Sequence, residues 1–284
     1  MSAQILDGKI LAAKLKEDLR HEISHLGQAP TLVNIIIGED AGALSYTESQ
    51  KKTAQSLGIK YDLQILPKTI TESELSKRIR ALNAESGIHG IILSKPLPSG
   101  FNYARLAQDI SPQKDVEGLN PFNLGQLFLD STRIFPCTAA SVLEHLRSTR
   151  VALGGREAVI IGRSEIVGKP LIFLLLKENL TVTVCHSGTS KANKLEEHLK
   201  RADVVVAALG RPQFVTGSMI KPGAIVIDVG INDVKGKITG DVDFESVKER
   251  AGFVTPVPGG VGPVTSVILM RNLMELFKAQ TKKT

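Results

Sequence analysis

The chain has no tryptophan, three tyrosines and only two cysteines among its 284 residues. Cys137 and Cys185 stand far apart and form no CxxC pair. That argues against a disulfide framework and a thiolate metal site, so no metal is expected, and it fits a reducing cytoplasm. Long apolar runs are also missing. Stretches such as 171–176 (LIFLLL) fall far short of the ~18–20 residues that cross a bilayer, so no membrane association is expected. The first residues carry interleaved charges rather than a basic segment, an apolar core and a small-residue cleavage site, and no secretion signal is expected. The formal net charge is +6, but the basic residues are scattered and no basic block is interleaved with aromatics. Nucleic-acid binding therefore has no support, whereas a modest positive surplus suits a small anionic ligand. No internal repeat or low-complexity segment is present.

What is present is a chain too long for one small core, with alternating strand and helix patterns. Apolar spacing predicts a helix over 5–26, and the β-branched run TLVNIII predicts a buried strand over 31–37. A helix over 45–57 stops at Gly58, a strand covers 60–66, and TESE opens a helix over 71–84 as a capping box. GIIL, 90–93, reads as a short buried strand before the turn-rich SKPLPSG. A second unit follows: strand 158–161, helix 170–178, strand 181–185, helix 195–201, strands 204–209 and 224–229, then a helix over 265–277. The expected class is α/β, with two domains, each built on a mostly parallel sheet, the C-terminal one Rossmann-like. The domains are expected at 1–148 and 149–264, with a C-terminal helix, 265–284, packing back on the first.

Several loops carry more specification than a connection needs. AVIIGRSEIVGKP is a strand, a loop bounded by Gly162 and Gly168, and a helix with Pro170 near its start. Glycines there let backbone approach a phosphate, and a helix N-terminus offers free N–H groups. The spacing is G-x5-G rather than G-x-G-x-x-G, so an ordinary tight βα turn is the alternative to nucleotide binding. After the next strand the sequence is CHSGTSK, without the carboxylate that NAD sites use for the ribose hydroxyls; Arg163 and Ser187 are available for a 2′-phosphate, which favours NADP, with NAD as the other choice. His186 reads either as a reactive group or as a cap of the strand end. TPVPGGVGPVT, 255–265, has three prolines and three glycines in eleven residues, a pattern compatible with a cis X-Pro bond. In KDVEGLNP, Asp115 and Glu117 share a side if the segment is extended; the alternatives are a carboxylate pair for a polar ring and a solvated turn.

Together KDVEGLNP, PCTA, VIIGRSEIVGKP, TVTVCHSGT, ADVVVAALGRPQFV, KPGAIVIDVGIN, GDVDF and TPVPGGVGPVT resemble the FolD-type methylenetetrahydrofolate dehydrogenase/methenyltetrahydrofolate cyclohydrolases over nearly the full length. The resemblance implies two domains with folate in a cleft between them, NAD(P) on the C-terminal domain, and a homodimer. It implies that Gly162, Arg163 and Ser164 hold the dinucleotide phosphates, that Ser187 lies near the adenosine ribose and that Ile231 lies beside the cofactor. Gly262, Pro263 and Thr265 would border the nicotinamide–folate region.

The folate side departs from the family. Its Ser-x-x-Tyr-x-x-x-Lys reads Ala43, Tyr46 and Gln50 here; Gln-Leu-Pro-Leu-Pro becomes Ser94, Lys95, Pro96, Leu97, Pro98; Asp-Val-Asp-Gly becomes Asp115, Val116, Glu117, Gly118. Lys51 would point about 100° away around the helix and does not replace the missing amine. Hydride transfer needs mainly alignment of two carbons, and a neutral Gln50 does not hinder it. Opening the methenyl ring with water needs proton transfer, which an amide cannot supply, and removing such a group typically costs ~10²–10⁴-fold. The expected function is thus an NADP-dependent methylenetetrahydrofolate dehydrogenase with weak or lost cyclohydrolase activity. Tyr46 and Gln50 hold the catalytic positions, and Ser94, Pro96 and Glu117 line the folate. Two alternatives stand beside it: a non-catalytic folate- or nucleotide-binding paralogue, and a dehydrogenase for a modified one-carbon carrier.

Overall fold

A computed structural model describes residues 2–281. It divides into two compact units: residues 15–135 with 266 onward, and the segment up to Lys14 with Pro136–Thr265. The chain opens with a two-residue strand, β1 (Gln4–Ile5), and helix α1 (Gly8–Ser24). The helix expected from residue 5 begins only at Gly8, because Gln4 and Ile5 are hydrogen-bonded in a sheet whose partner strand lies some 250 residues later in the chain.

The first-described unit contains β2 (Thr31–Ile37), α2 (Ala41–Ser56), β3 (Lys60–Leu66), α3 (Glu72–Ala84), β4 (Gly90–Leu93), α4 (Tyr103–Asp109) and α5 (Pro121–Phe128). Its three strands are parallel in the order β3-β2-β4. Alternation along the central strand sends Val33, Ile35 and Ile37 into a core with Leu75, Ile79, Leu82 and Leu106. Leu32, Asn34 and Ile36 therefore point to the other face, where α2 packs with Thr47, Gln50, Ala54 and Leu57 buried at helical spacing. Asp40 caps α2 by accepting from the Ala43 N–H (2.9 Å), and Gly58 takes the positive φ (75°) that ends it. Thr71 and Glu74 form the expected capping box of α3.

The other unit contains α6 (Cys137–Ser148), β5 (Glu157–Ile161), α7 (Gly168–Lys177), β6 (Thr181–Cys185), α8 (Ser187–Lys191), α9 (Leu195–Arg201), β7 (Val204–Ala207), β8 (Ile225–Asp228), β9 (Asn232–Val234), β10 (Lys237–Thr239), α10 (Phe244–Lys248) and β11 (Phe253–Val254). Helix α11 (Val261–Thr281) begins here and continues into the residues of the first-described unit; the last part of the segment expected to be helical, 282–284, lies outside the described residues. The sheet has six parallel strands in the order β1-β11-β8-β7-β5-β6. Sequence order reverses at β5, whose neighbours are β6 on one side and β7 on the other, the switch point of a doubly wound sheet. β9 and β10 form a separate hairpin closed by Lys235 and Gly236, both at positive φ, the chemistry of a two-residue primed turn.

The expected boundary at 148/149 differs from this division. α6 and the segment up to Lys14 group with the six-stranded sheet, the latter because β1 extends that sheet through β11. Gly8 fixes the junction: its N–H donates to the Gly259 carbonyl (2.8 Å), and a methyl there would collide with the Gly260 carbonyl oxygen. No helix among the described residues is long and apolar enough to cross a membrane.

Candidate functional site

Asn34 interrupts an otherwise apolar strand and is fully buried. A buried amide needs partners, and Asn34 finds them on three elements. Its Nδ2 donates to Gln50 Oε1 (3.2 Å) and to the Tyr61 hydroxyl (2.8 Å), with Thr47 Oγ1 more distant at 3.4 Å. Its Oδ1 accepts from Ser94 Oγ (2.8 Å). The Tyr61 hydroxyl in turn donates to Gln50 Oε1 (3.0 Å). Burial pushes that hydroxyl up to about 12, so it stays protonated at all physiological pH. Gln50, only 3% exposed, therefore accepts two hydrogen bonds at one oxygen, and no titratable amine is in the cluster. Tyr46, one turn earlier on α2, is 46% exposed.

Beside β4 the chain turns through the cis Lys95–Pro96 bond, and Pro96 is exposed. The Lys95 ammonium lies 3.8 Å from the centroid of the Tyr103 ring. The Tyr103 hydroxyl donates to the Glu117 carboxylate, and its own pKa is raised by burial first and by the Glu117 charge second. Burial, then the charge of Asp115, push Glu117 up to about 7 against the opposing pull of Lys95 and Tyr103. Lys95 thus stands with Glu117. Asp115 is not part of a free carboxylate pair. It accepts from the Gly118 N–H (3.0 Å), the Asn120 N–H (2.7 Å) and Asn123 Nδ2 (2.9 Å), and so builds the turn on which Glu117 sits. That turn is buried, not solvated: Asp115 is 4% exposed.

In the other unit the loop from Gly162 to Gly168 leaves the C-terminal end of β5, at the switch point. Gly162 has φ 126°, and a methyl there would strike the Ala208 carbonyl at the end of β7; a methyl at Gly168 would strike the Gly162 carbonyl. Both glycines hold the two strand ends and the start of α7 close together. Arg163 and Ser164 are exposed on this loop, and no side chain caps α7. A guanidinium and a hydroxyl on a glycine-bounded loop at a switch point fit the pyrophosphate of a dinucleotide. Ser187 is exposed at the first position of α8. His186 is the cap of that helix: its Nδ1 accepts from the Gly188 N–H (3.1 Å). Ile231, 70% exposed, follows the end of β8.

Two buried carboxylates organise these loops, and sequence reasoning assigned them no role. Asp241 accepts from the N–H groups of Leu209 (2.5 Å), Gly210 (3.0 Å) and Arg211 (2.7 Å), which shapes the loop after β7. Asp228 accepts from those of Gly230 (2.9 Å), Asp241 (3.0 Å) and Val242 (2.9 Å), and burial pushes it up to about 6. A carboxylate at the end of an apolar strand, as in VIDVG, is the signal that marks Asp228; Asp241, after the polar β10, has none.

In TPVPGGVGPVT the cis bond is Val257–Pro258. Gly262 is exposed, Pro263 half-buried and Thr265 buried, all in the first turns of α11. Thr265 Oγ1 bonds to the Val261 carbonyl (3.0 Å) and meets Ser141 Oγ (3.1 Å), which leaves little of it for a ligand. Beside this loop His145 on α6 is fully buried and has no hydrogen-bond partner on either ring nitrogen among the described residues; the Gly260 backbone approaches without reaching hydrogen-bond geometry. Burial holds it down at about 4.

Of the residues expected from sequence, the structure joins Gln50 and Ser94 through Asn34, puts Glu117 with Lys95, and sets Gly162, Arg163 and Ser164 on one loop. Asn34, Tyr61 and Tyr103 were not singled out in the sequence, although a lone Asn inside TLVNIII is a visible anomaly.

Residues 136–281 match the family described as "Tetrahydrofolate dehydrogenase/cyclohydrolase, NAD(P)-binding domain", and residues 6–117 its "catalytic domain". The chain is 45% identical to the "Bifunctional protein FolD" of Thermodesulfovibrio yellowstonii, over 99% of each chain. The crystal structure of the bifunctional enzyme FolD-methylenetetrahydrofolate dehydrogenase/cyclohydrolase from Campylobacter jejuni is 38% identical, with a TM-score of 0.94, covering 98% of this chain and 99% of that one. The Trypanosoma brucei methylenetetrahydrofolate dehydrogenase-cyclohydrolase, complexed with NADP cofactor and inhibitor, is 35% identical with a TM-score of 0.93, covering 99% of each.

Proposed function

Because the chain belongs to the tetrahydrofolate dehydrogenase/cyclohydrolase family, we propose that it is an NADP-dependent methylenetetrahydrofolate dehydrogenase of one-carbon metabolism whose cyclohydrolase step is weak or lost. One observation carries the second half: the position where a family amine would act holds Gln50, buried, with its oxygen accepting from Asn34 and Tyr61.

The nicotinamide, when bound, supplies the hydride acceptor. On this reading Gly162, Arg163, Ser164 and the N-terminus of α7 hold the phosphates, Ser187 reads the adenosine ribose side, and Ile231 packs beside the ring. A 2′-phosphate suits Arg163 and Ser187 better than a bare ribose does, since neither is an acceptor for ribose hydroxyls in the way a carboxylate is. Tyr46 and Gln50 face the one-carbon unit, Ser94, Pro96 and Glu117 the pterin, and Gly262, Pro263 and Thr265 border the folate. A neutral amide beside the methylene carbon does not repel the cation that forms as hydride leaves. It also has no proton to exchange with water in the useful pH range, so water attack on that cation goes unassisted. The resemblance further implies a homodimer, and the scarcity of cysteine fits a reducing cytoplasm.

Two assays on purified protein test this. One follows reduction of NADP+ and NAD+ with methylenetetrahydrofolate; the other follows decay of methenyltetrahydrofolate against a buffer blank. Reduction favouring NADP+, with decay at the blank rate, is the expected result. Accelerated decay overturns the reading of Gln50. Inactivity in both, with folate still bound, leaves a binding paralogue or a dehydrogenase for a modified carrier.

A further inference from the structure

The cluster around Gln50 has a direction. Ser94 gives its proton to Asn34 Oδ1, Asn34 Nδ2 gives to Tyr61 and Gln50, and Tyr61 gives to Gln50. Each proton runs towards Gln50 Oε1, which is the terminal acceptor. Turning the amide of Gln50 over on its own would set its N–H groups against those of Asn34, donor against donor. In an enclosed site that exchange is unfavourable. Gln50 Oε1 is therefore held inward, and Nε2 is the group the side chain has left to offer a ligand.

We propose that Asn34 is a positioning residue for the one-carbon substrate: with Tyr61 it fixes the Gln50 amide so that an uncharged N–H donor, rather than an acceptor or an ammonium, faces an acceptor atom of the folate, and it ties Ser94 to the same setting. This rests on the folate reading of the site. It explains why two changed positions, Gln50 and Ser94, occur together. Both are hydrogen-bonded to one buried amide.

A charge-swap cycle tests it. Asn34→Asp keeps the acceptor for Ser94 but forces Gln50 to turn its N–H inward, presenting oxygen to the substrate. Gln50→Lys places an ammonium without a counter-ion against Asn34 and Tyr61. Each single change is expected to lower kcat/KM for methylenetetrahydrofolate by at least about tenfold, mainly through KM, with NADP+ affinity little altered and Tm lowered by the buried charge. The pair Asn34→Asp with Gln50→Lys restores a donor at position 50 held by an acceptor at 34, and is expected to recover most of the loss. Tyr61→Phe, which removes one of the two bonds to Oε1, serves if Asn34→Asp fails to fold, and is expected to raise KM severalfold. Asn34→Asp or Tyr61→Phe within twofold of wild type, or losses that simply multiply in the double variant, overturns the proposal. Calorimetric binding of tetrahydrofolate to the same proteins keeps the two readings apart. Weaker binding in Asn34→Asp supports the positioning role even if the wild-type protein proves inactive, and unchanged binding overturns it.

Discussion

Two buried titratable groups give opposite pH signatures. The Glu117 carboxyl ionises at about 7 in the folded chain, above its ordinary 4.5. Between those values the folded state holds more protons than the unfolded one, so this group's contribution falls as pH rises from about 4.5 to 7 and is level above. Glu117→Gln keeps an acceptor for Tyr103 and removes the charge. It should stabilise the protein at pH 8 by about 1–3 kcal/mol while leaving pH 4.5 nearly unchanged, as read from urea unfolding at both pH values. His145 has the reverse sign: held at about 4 against 6.5, it stays neutral when folded, and stability drains as pH falls from about 6.5 to 4. His145→Leu should flatten that acid limb, and removing two ring nitrogens without partners should add about 1 kcal/mol at pH 7. A variant as acid-sensitive as the wild type would show that His145 is not the group responsible. Neither residue's state was legible in the sequence. Glu117 was visible as a departure at a motif position, but its carboxyl is set first by burial, which no local pattern shows, and is opposed by Lys95 and Tyr103, fourteen to twenty-two residues away in the chain. His145 carries no local signal, since α6 was not read as a helix and the loop that buries it starts more than a hundred residues later.

At the level of elements, what was readable is what local chemistry fixes. The runs TLVNIII and GIIL gave β2 and β4 their limits, and Thr71 with Glu74 gave the start of α3. Removing that cap tests its worth: Thr71→Ala should cost about 1 kcal/mol in unfolding free energy with no change in activity, because α3 carries none of the candidate site residues. Strands β1 and β11 were invisible because two residues each have no period to detect; they exist through pairing with one another and with β8. The first turn of α11 was missed for another reason, since the glycines and prolines of TPVPGGVGPVT read as loop although a proline is tolerated where a helix starts. The candidate site was legible as positions on these elements. The bonds among those positions were not, because Asn34, Gln50, Tyr61 and Ser94 come from four separate elements or their ends.

For the whole molecule, the proposed function puts the two halves of the chemistry on separate hydrogen-bonded frameworks. The loop of Gly162 to Gly168 belongs to the six-stranded sheet, and the Asn34 cluster to the three-stranded one. A ligand that binds only folded protein stabilises it by about 2.7 kcal/mol at a hundred times its Kd, so each site reports on itself through a thermal shift. Gly168→Ala places a methyl against the Gly162 carbonyl and the Arg163 backbone, which cannot yield as a flexible side chain would. The loop must open to admit it, and Arg163 and Ser164 move off the position proposed for the phosphates. The variant should lose most of the shift given by NADP+ and keep the shift given by tetrahydrofolate. Asn34→Asp should do the opposite. Loss of both shifts from Gly168→Ala at an otherwise normal melting temperature would mean that folate binding depends on the phosphate loop, and that the two frameworks do not act independently.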